Sequence, residues 1–336
     1  MNKITIAVAD AIAQRFGVPS QREVSANLSD AESGVAFMIS QVSYLEQEMY
    51  AAKYFDIVFD KLVPIDTSIP EGASSVTYRS YDGATVGKFL GARADDIPLV
   101  SAEAQLHTVP LGYAGVGTKY SLDELRTSAM AGMPIDATQA EIAFRGARQH
   151  QQKTVFFGDK SRNMFGLLNH PNVTKTNSTV NWSTATPDQI IEDVNKAIST
   201  VWVNSNQVFL PNTLLIDTER YTALVNKKSS DIAFKSVIDY IETNNLYTKR
   251  TGQKLTIEPL PHLSAEVLKA NGVSNSNKAR MVAYVKDKKC VKAYMPIPPR
   301  FVAPQLKNLD VITPMEYKIS GTEYIYPTSA IYVDAM

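Results

Sequence analysis

The residues from which this chain could build a reaction centre are its four histidines, its single cysteine, the acidic sets Asp95-Asp96 and Asp188/Glu192/Asp193, and the glycine-rich run from Gly112 to Lys119. His107, His150, His170 and His262 sit at no i,i+2 or i,i+4 spacing and in no H-E-x-x-H arrangement, so a histidine metal site would need distant segments to converge. Surface or hydrogen-bonded structural histidines are the simpler expectation. Two carboxylates can run glycoside hydrolysis, but acids in the first turns of a helix are more simply explained by the positive end of its dipole. The run Gly112-Tyr113-Ala114-Gly115-Val116-Gly117-Thr118-Lys119 fits neither the P-loop nor G-x-G-x-x-G, and reads instead as a bend or strand terminus. No G-x-S-x-G elbow is present. Cys290 lies in a strand-like run without a histidine near it in sequence, which predicts a buried thiol rather than a nucleophile. Lys286, Lys288, Lys289 and Lys292 read as a solvated strand edge. No catalytic, cofactor-binding or metal-ligating residue is assigned, and the chain is expected not to be an enzyme and to need no cofactor.

Composition narrows the alternatives. The 336 residues are 44% hydrophobic and 20% charged, and 34 Lys+Arg balance 34 Asp+Glu. That is ordinary globular composition with chain enough for about two domains, and it argues against disorder, collagen-like repeats and disulfide scaffolds. A net charge of 0 does not attract polyanions, so nucleic acid would be met only through a local basic patch. One cysteine allows no intrachain disulfide and no thiolate zinc site. The short run Ile4 to Ala9, ended by Asp10, is no secretory core, and no segment supplies the roughly 18 apolar residues of a membrane span. A soluble protein made in the cytoplasm is expected. Asn172, Asn177 and Asn181 begin Asn-x-Ser/Thr triplets, read only as polar loops.

The elements that would position these residues follow from periodicity. Residues 1–28 read as an extended arm broken at Gly17-Val18-Pro19-Ser20. Ser29 with Glu32 makes a capping box, and Val35, Ile39, Val42, Leu45 and Met49 line a helical stripe that could cover the chain's own core or a neighbour. From 64 to 118 the runs Val76 to Arg79 and Thr85 to Phe89 flank Asp82-Gly83, a two-residue hairpin signal, so a long β-ribbon is expected. Such a ribbon is marginal alone and must rest on something else. Capping boxes at Ser121/Glu124 and Asp136/Gln139 precede a helix from Ala137 to Phe157, closed by Gly158, whose stripe Ala140, Ala143, Phe144, Ala147 and Val155 suits a strut lying across a sheet. Thr186-Pro187-Asp188-Gln189 starts a further helix through Val201. Beyond it the spacing predicts strands at Gln207 to Leu210, Leu214 to Ile216, Met281 to Lys286, Cys290 to Met295, Val311 to Ile319 and Glu323 to Val333. Helices are predicted after Asp217, at Ile232 to Thr243, and at Ala265 to Ala270 with Gly272 as stop. No internal repeat is visible.

In their order along the chain these features resemble the major capsid (coat) proteins of tailed bacteriophages, with the Hong-Kong-97-type fold that encapsulin shells also share. The resemblance is carried by Tyr81-Asp82-Gly83-Ala84, Asp96-Ile97-Pro98-Leu99-Val100, Tyr120-Ser121-Leu122-Asp123-Glu124-Leu125, Phe157-Gly158 and Phe165-Gly166-Leu167-Leu168-Asn169-His170-Pro171-Asn172-Val173. Pro304-Gln305 and Tyr326-Pro327-Thr328-Ser329-Ala330-Ile331-Tyr332 complete it. It spans roughly residues 45–336; each piece is short, and only their order is specific.

The resemblance implies an α+β chain with an N-terminal arm (1–63), an extended β-ribbon loop (64–117), a peripheral domain with a spine helix (118–204), an axial domain (205–296) and return strands of the peripheral domain (297–336). It implies self-assembly through pentamers and hexamers into an icosahedral virion shell around double-stranded DNA, built in the host cytoplasm. The packaged DNA would be met only weakly and non-specifically, and no membrane would be involved. Portal, scaffolding or decoration proteins are possible partners. Tyr78, Tyr81, Asp82, Gly83, Lys88 and Phe89 in the ribbon are its candidate intersubunit contacts. The alternatives are an encapsulin-like shell around protein cargo and a soluble carboxylate-based hydrolase.

Overall fold

The computed structural model describes residues 56–82, 103–131, 135–182, 184–227, 236–273 and 278–334. The first of them form α1 (Phe59–Leu62), β1 (Ile65–Asp66), β2 (Ser75–Asp82), β3 (Glu103–Pro110), β4 (Gly112–Ser121), α2 (Leu122–Ala131) and α3 (Ile135–Phe157). Then come β5 (Gly158–Asp159), β6 (Met164–Phe165), β7 (Thr174–Asn177), α4 (Pro187–Asn204), β8 (Thr213–Ile216), α5 (Thr218–Asn226), α6 (Val237–Thr243), α7 (Leu246–Thr251) and β9 (Thr256–Pro259). The remainder is α8 (Ala265–Ala270), β10 (Met281–Tyr284), β11 (Val291–Tyr294), β12 (Ile297–Phe301), β13 (Gln305–Lys307), β14 (Asp310–Ile319), β15 (Thr322–Tyr324) and β16 (Ala330–Asp334).

The caps account for several starts. Thr186 accepts from the Gln189 backbone while the Gln189 side chain accepts from Thr186 N, with Pro187 at the first helical position, so α4 begins where its sequence directs. Glu124 accepts from Ser121 N at 2.9 Å and Ser121 Oγ from Asp123 N at 3.3 Å, which opens α2. Gly158 at φ 68° closes α3 and Gly272 at φ 67° follows α8, both in the left-handed region glycine enters without steric cost.

Two cores share one sheet. Its order is β7-β16-β10-β8-β9, with β8, β10 and β16 buried along their whole length. Because side chains alternate across a strand, Leu214, Ile216, Met281, Ala283, Ile331 and Val333 pack with Ile190, Val194, Ile198 and Val201 of α4. Their neighbours Leu215, Val282, Tyr284, Ala330 and Tyr332 enter the second core with Phe156, Leu167, Leu168, Leu260 and Tyr324. Burial on both faces explains why these strands are continuous apolar runs. Arg280, fully buried, makes two bonds to Asp334, donates to the Leu168 carbonyl and lies over the Tyr332 ring.

α3 lies across a second sheet in which β14 is central, with β4 on one edge and β12 and β13 on the other. Ala143 and Ala147 meet Met315 and Tyr317 there, with Ala114 and Val116 beside them. This is the expected strut, although Phe144 is 45% exposed and leaves the stripe. The helix starts at Ile135, so Asp136 lies inside it rather than capping it.

Other expectations are corrected. The glycine-rich run is the body of β4, whose ten-residue ladder with β14 outweighs the weak strand preference of glycine. Residues 207–210 form no strand: Asn206 and Gln207 both take positive φ as the chain leaves α4. The last predicted strand is two, β15 and β16, separated by the Pro327–Ser329 turn. β10 and β11, expected either side of a turn, enter different sheets. The Ser29 helix, the arm and the Thr85 to Phe89 strand lie outside the described residues.

One crossing admits no side chain. A Cβ on Gly166 would stand 2.2 Å from the carbonyl carbon and oxygen of Phe156, where Leu167 N and Leu168 N donate to Val155 O and Phe156 O. Gly166→Ala is expected to destabilise by ~4 kcal/mol or more, seen as loss of soluble, cooperatively melting protein. Ala147, 1% exposed against the sheet, should lose about 1–3 kcal/mol as Ala147→Leu, measured by urea denaturation. His262, edge-on to Phe156 at 5.0 Å, is pushed down by burial to about 4. Between that value and about 6.5 the unfolded chain binds a proton that the folded chain does not. Stability should therefore fall as pH drops through this window, by at most about 3 kcal/mol, and His262→Gln should flatten that part of the pH profile.

Candidate functional site

The ribbon is the least self-sufficient part of the described fold. β2 and β3 pair from Ser75↔Pro110 to Asp82↔Glu103, and no other strand joins them among the described residues. The sequence thus supplies a partner for β2 at 103–110. The expected immediate return, with Gly83, Lys88 and Phe89, lies outside the described residues. Of the side chains described on the two strands only Val109 is buried, because most of their residues are polar and hydroxyls pair across the ladder, as Thr77 does with Thr108 at 3.1 Å. Leu106 is 66% exposed. A two-stranded ribbon this polar has no core of its own.

What holds it is its root. Val109, Leu111 and Tyr294 form a small buried cluster against which Ile69, Ala73, Val76 and Tyr78 pack. The Tyr78 hydroxyl donates to Glu323 Oε1 at 2.8 Å, and burial with the adjacent carboxylate pushes that phenol's pKa well up, so it stays a donor. The Tyr78 ring stacks on His107 at 5.1 Å, and His107 Nε2 lies 3.0 Å from Ser80 Oγ. The second Glu323 oxygen is 3.8 Å from Nε2 of His170, a buried ring set edge-on to Phe165 and Tyr324. Between ribbon root and body opens a cavity of about 250 Å³ bordered by His107, His170, Glu323, Asn163, Asn172 and Leu106.

On the second sheet, Arg300 grips the turn before β2. Its guanidinium donates to both oxygens of Glu71 at 2.8 and 2.7 Å and to Glu316 at 2.9 Å. Lys318 Nζ donates to the Glu71 carbonyl at 3.0 Å, and the Tyr113 hydroxyl to Glu316 at 2.7 Å. Hydrogen bonds from Arg300 hold the Glu71 carboxyl below the ordinary carboxylate range; Tyr113 first, then Arg300, do the same for Glu316. A bidentate guanidinium–carboxylate fork fixes direction as well as distance.

Of the described residues considered for chemistry, His107 and His170 border one cavity, and the others lie apart from it. Asp193 is buried, accepting from Trp182 Nε1 at 2.8 Å and Ser178 Oγ at 2.7 Å, and so ties a loop to α4 rather than serving the helix dipole. His150 meets the Tyr317 hydroxyl at 2.9 Å. Cys290 is buried as expected, which pushes its thiol up to about 11. Lys292 reaches Asp66 at 3.4 Å over the Tyr294 ring. Among the described residues no group of three or more His, Cys, Asp or Glu could hold a metal ion, and no helix is long and apolar enough to cross a membrane. Asp95 and Asp96 lie outside the described residues.

Of the candidate contacts, Tyr78 is engaged by its own chain through Glu323, while Tyr81 and Asp82 pair with Ala104 and Glu103 at the far end of the ladder. Sequence reading missed Glu71, Arg300 and Glu323. Their partners lie 229 to 245 residues away, and no local pattern marks them.

Comparison with known proteins gives a consistent result. A family model described as major capsid protein matches residues 86–336. No curated protein matches the chain. Solved structures with the same fold include the capsid of Myoviridae phage XM1, with TM-score 0.73 and 12% identity, covering 88% of this chain and 98% of that one. Mycobacterium phage Bobi follows at TM-score 0.59 and 14% identity, covering 90% and 98%. The capsid of an empty GTA particle gives 0.56 and 9%, covering 89% and 97%.

Proposed function

This chain belongs to the major capsid protein family and is a structural protein of a virion shell with the Hong-Kong-97-type fold, and we propose that copies of it close into an icosahedral head around double-stranded phage DNA. The observation that carries the finer reading is the ribbon: a two-stranded element without a core, rooted firmly and otherwise uncovered by the described chain. A neighbouring subunit is the cover that a repeating assembly supplies at every position. Each contact of this kind joins different surfaces on the two copies, and such contacts generate rings when the rotation closes. Pentamers and hexamers are the rings an icosahedral shell requires. Many modest contacts made at once then hold a subunit that no single contact would retain.

Tyr81, Asp82, Gly83, Lys88 and Phe89 are the contacts we assign to the neighbour; Tyr78 serves the root. The division into arm (1–63), ribbon loop (64–117), peripheral domain (118–204 with 297–336) and axial domain (205–296) is the organisation this reading carries. A subunit of net charge 0 would meet packaged DNA weakly and non-specifically, as a container that later releases its contents must. Assembly would take place in the host cytoplasm, with portal, scaffolding or decoration proteins as further partners and no catalytic role for the chain.

Arg79 and Leu106 are paired residues of the ladder, so joining them through an Asn-Gly turn shortens the ribbon without breaking its register. The purified wild type should form closed particles by negative-stain electron microscopy, and the shortened chain should stay folded but remain in small oligomers. A wild type that sediments as a monomer at every concentration would overturn the shell reading.

A further inference from the structure

We infer that Glu323 and Arg300 are positioning residues: a two-point mount that sets the direction in which the ribbon leaves the body, and so the angle at which it reaches a neighbouring subunit. The inference rests on the shell reading and adds to it the residues that fix the geometry of assembly.

The two anchors grip different parts of the ribbon root from different sheets. Glu323 belongs to β15, in the sheet ordered β1-β11-β15, and takes the Tyr78 hydroxyl from within β2. Arg300 belongs to β12, in the sheet centred on β14, and takes Glu71 in the turn that leads into β2. A single hydrogen bond leaves the ribbon free to rotate about it, whereas two grips on separate supports remove that rotation. Each grip is itself oriented. Glu323 is flanked by His170 Nε2 at 3.8 Å, and Arg300 is held by Glu316, which in turn is fixed by Tyr113. The apolar root cluster around Val109, Leu111 and Tyr294 gives cohesion, but apolar contact is non-directional and does not specify an angle.

Chemistry separates the two anchors. The Tyr78 bond to Glu323 is part-buried and charge-assisted, while the Arg300 fork is exposed and gains its specificity from bidentate geometry that lysine cannot reproduce. Tyr78→Phe removes one hydroxyl and leaves the ring stacked on His107; Arg300→Lys retains the charge and loses the fork.

The test uses the full chain carrying Tyr78→Phe, Glu323→Gln, Arg300→Lys, or Tyr78→Phe with Arg300→Lys. Far-UV circular dichroism and melting should remain close to wild type. Amide exchange over 75–80 and 105–109 should quicken about 10-fold in Tyr78→Phe and Arg300→Lys, as loss of a hydrogen bond to a charged group implies, less in Glu323→Gln, which keeps an acceptor and loses only its charge, and further in the double variant. Particle diameters, uniform for the wild type, should broaden or give open sheets, most in the double variant. Tyr78→Phe with Glu323→Gln should be no worse than Tyr78→Phe alone, since the hydroxyl whose bond Glu323→Gln only weakens is already gone. Variants that close shells of wild-type diameter with wild-type exchange would overturn the inference. A wild type that forms no particles overturns the shell reading instead, and exchange at the root still reports on the mount.

Discussion

The described fold depends on donors converging on two successive carbonyls. Leu167 O accepts from the hydroxyls of Tyr324 at 3.0 Å and Tyr332 at 2.7 Å, and Leu168 O accepts from buried Arg280. The same residues donate backward, Leu167 N to Val155 O and Leu168 N to Phe156 O, so a four-residue stretch bonds to the end of α3 and to the two C-terminal strands together. Buried backbone groups left unpaired cost as much as lost hydrogen bonds, which makes this convergence a requirement rather than an embellishment. Gly166 permits the approach, and Asn169 secures it by accepting from Gly166 N and donating to Phe157 O. The long helix, the five-stranded sheet and the C-terminal strands are therefore tied together by hydrogen bonds at this stretch.

The contrast between this hub and the ribbon is the physical basis of the function. Around Leu167 nearly every side chain is buried, and the buried Arg280–Asp334 pair, costly to break, locks the end of β16 against it. From β12, β14 and β15, directional polar contacts of Arg300, Lys318 and Glu323 hold the ribbon root, and beyond Tyr78 the strands are bonded only to each other among the described residues. A rigid body presenting a long, uncovered arm at a defined angle is what a repeating shell needs from its subunit. In the proposed shell the body would keep the ribbon's starting point fixed while a neighbour would provide its burial. Charge balance fits the same role, because like-charged subunits packed at shell density would repel.

The histidines take structural roles, in line with their spacing. His107, His150, His170 and His262 look in sequence like scattered candidates for chemistry. In the structure each sits against an aromatic ring: Tyr78, Tyr317, Phe165 with Tyr324, and Phe156 with Phe157. They pack and orient. Asp193 was legible as a helix-start acid, yet its carboxylate holds Trp182 and Ser178 inside the fold.

By itself the sequence determined the elements governed by near neighbours. The Thr186 capping box, the glycine stops at 158 and 272, and the small-residue stripe of Ala143 and Ala147 are set by bonds and spacings within one helical turn or its end. The order of short motifs was enough to place the chain in its family. Only the tertiary structure decided which strands share a sheet, that the glycine-rich run is a ladder rather than a bend, and that Glu323 and Arg300 grip a ribbon more than 200 residues before them. The reason is that strand pairing and ion-pair choice are settled by which backbone and side-chain groups meet in space after the cores form. A linear pattern carries the period of an element but not the identity of its distant partner.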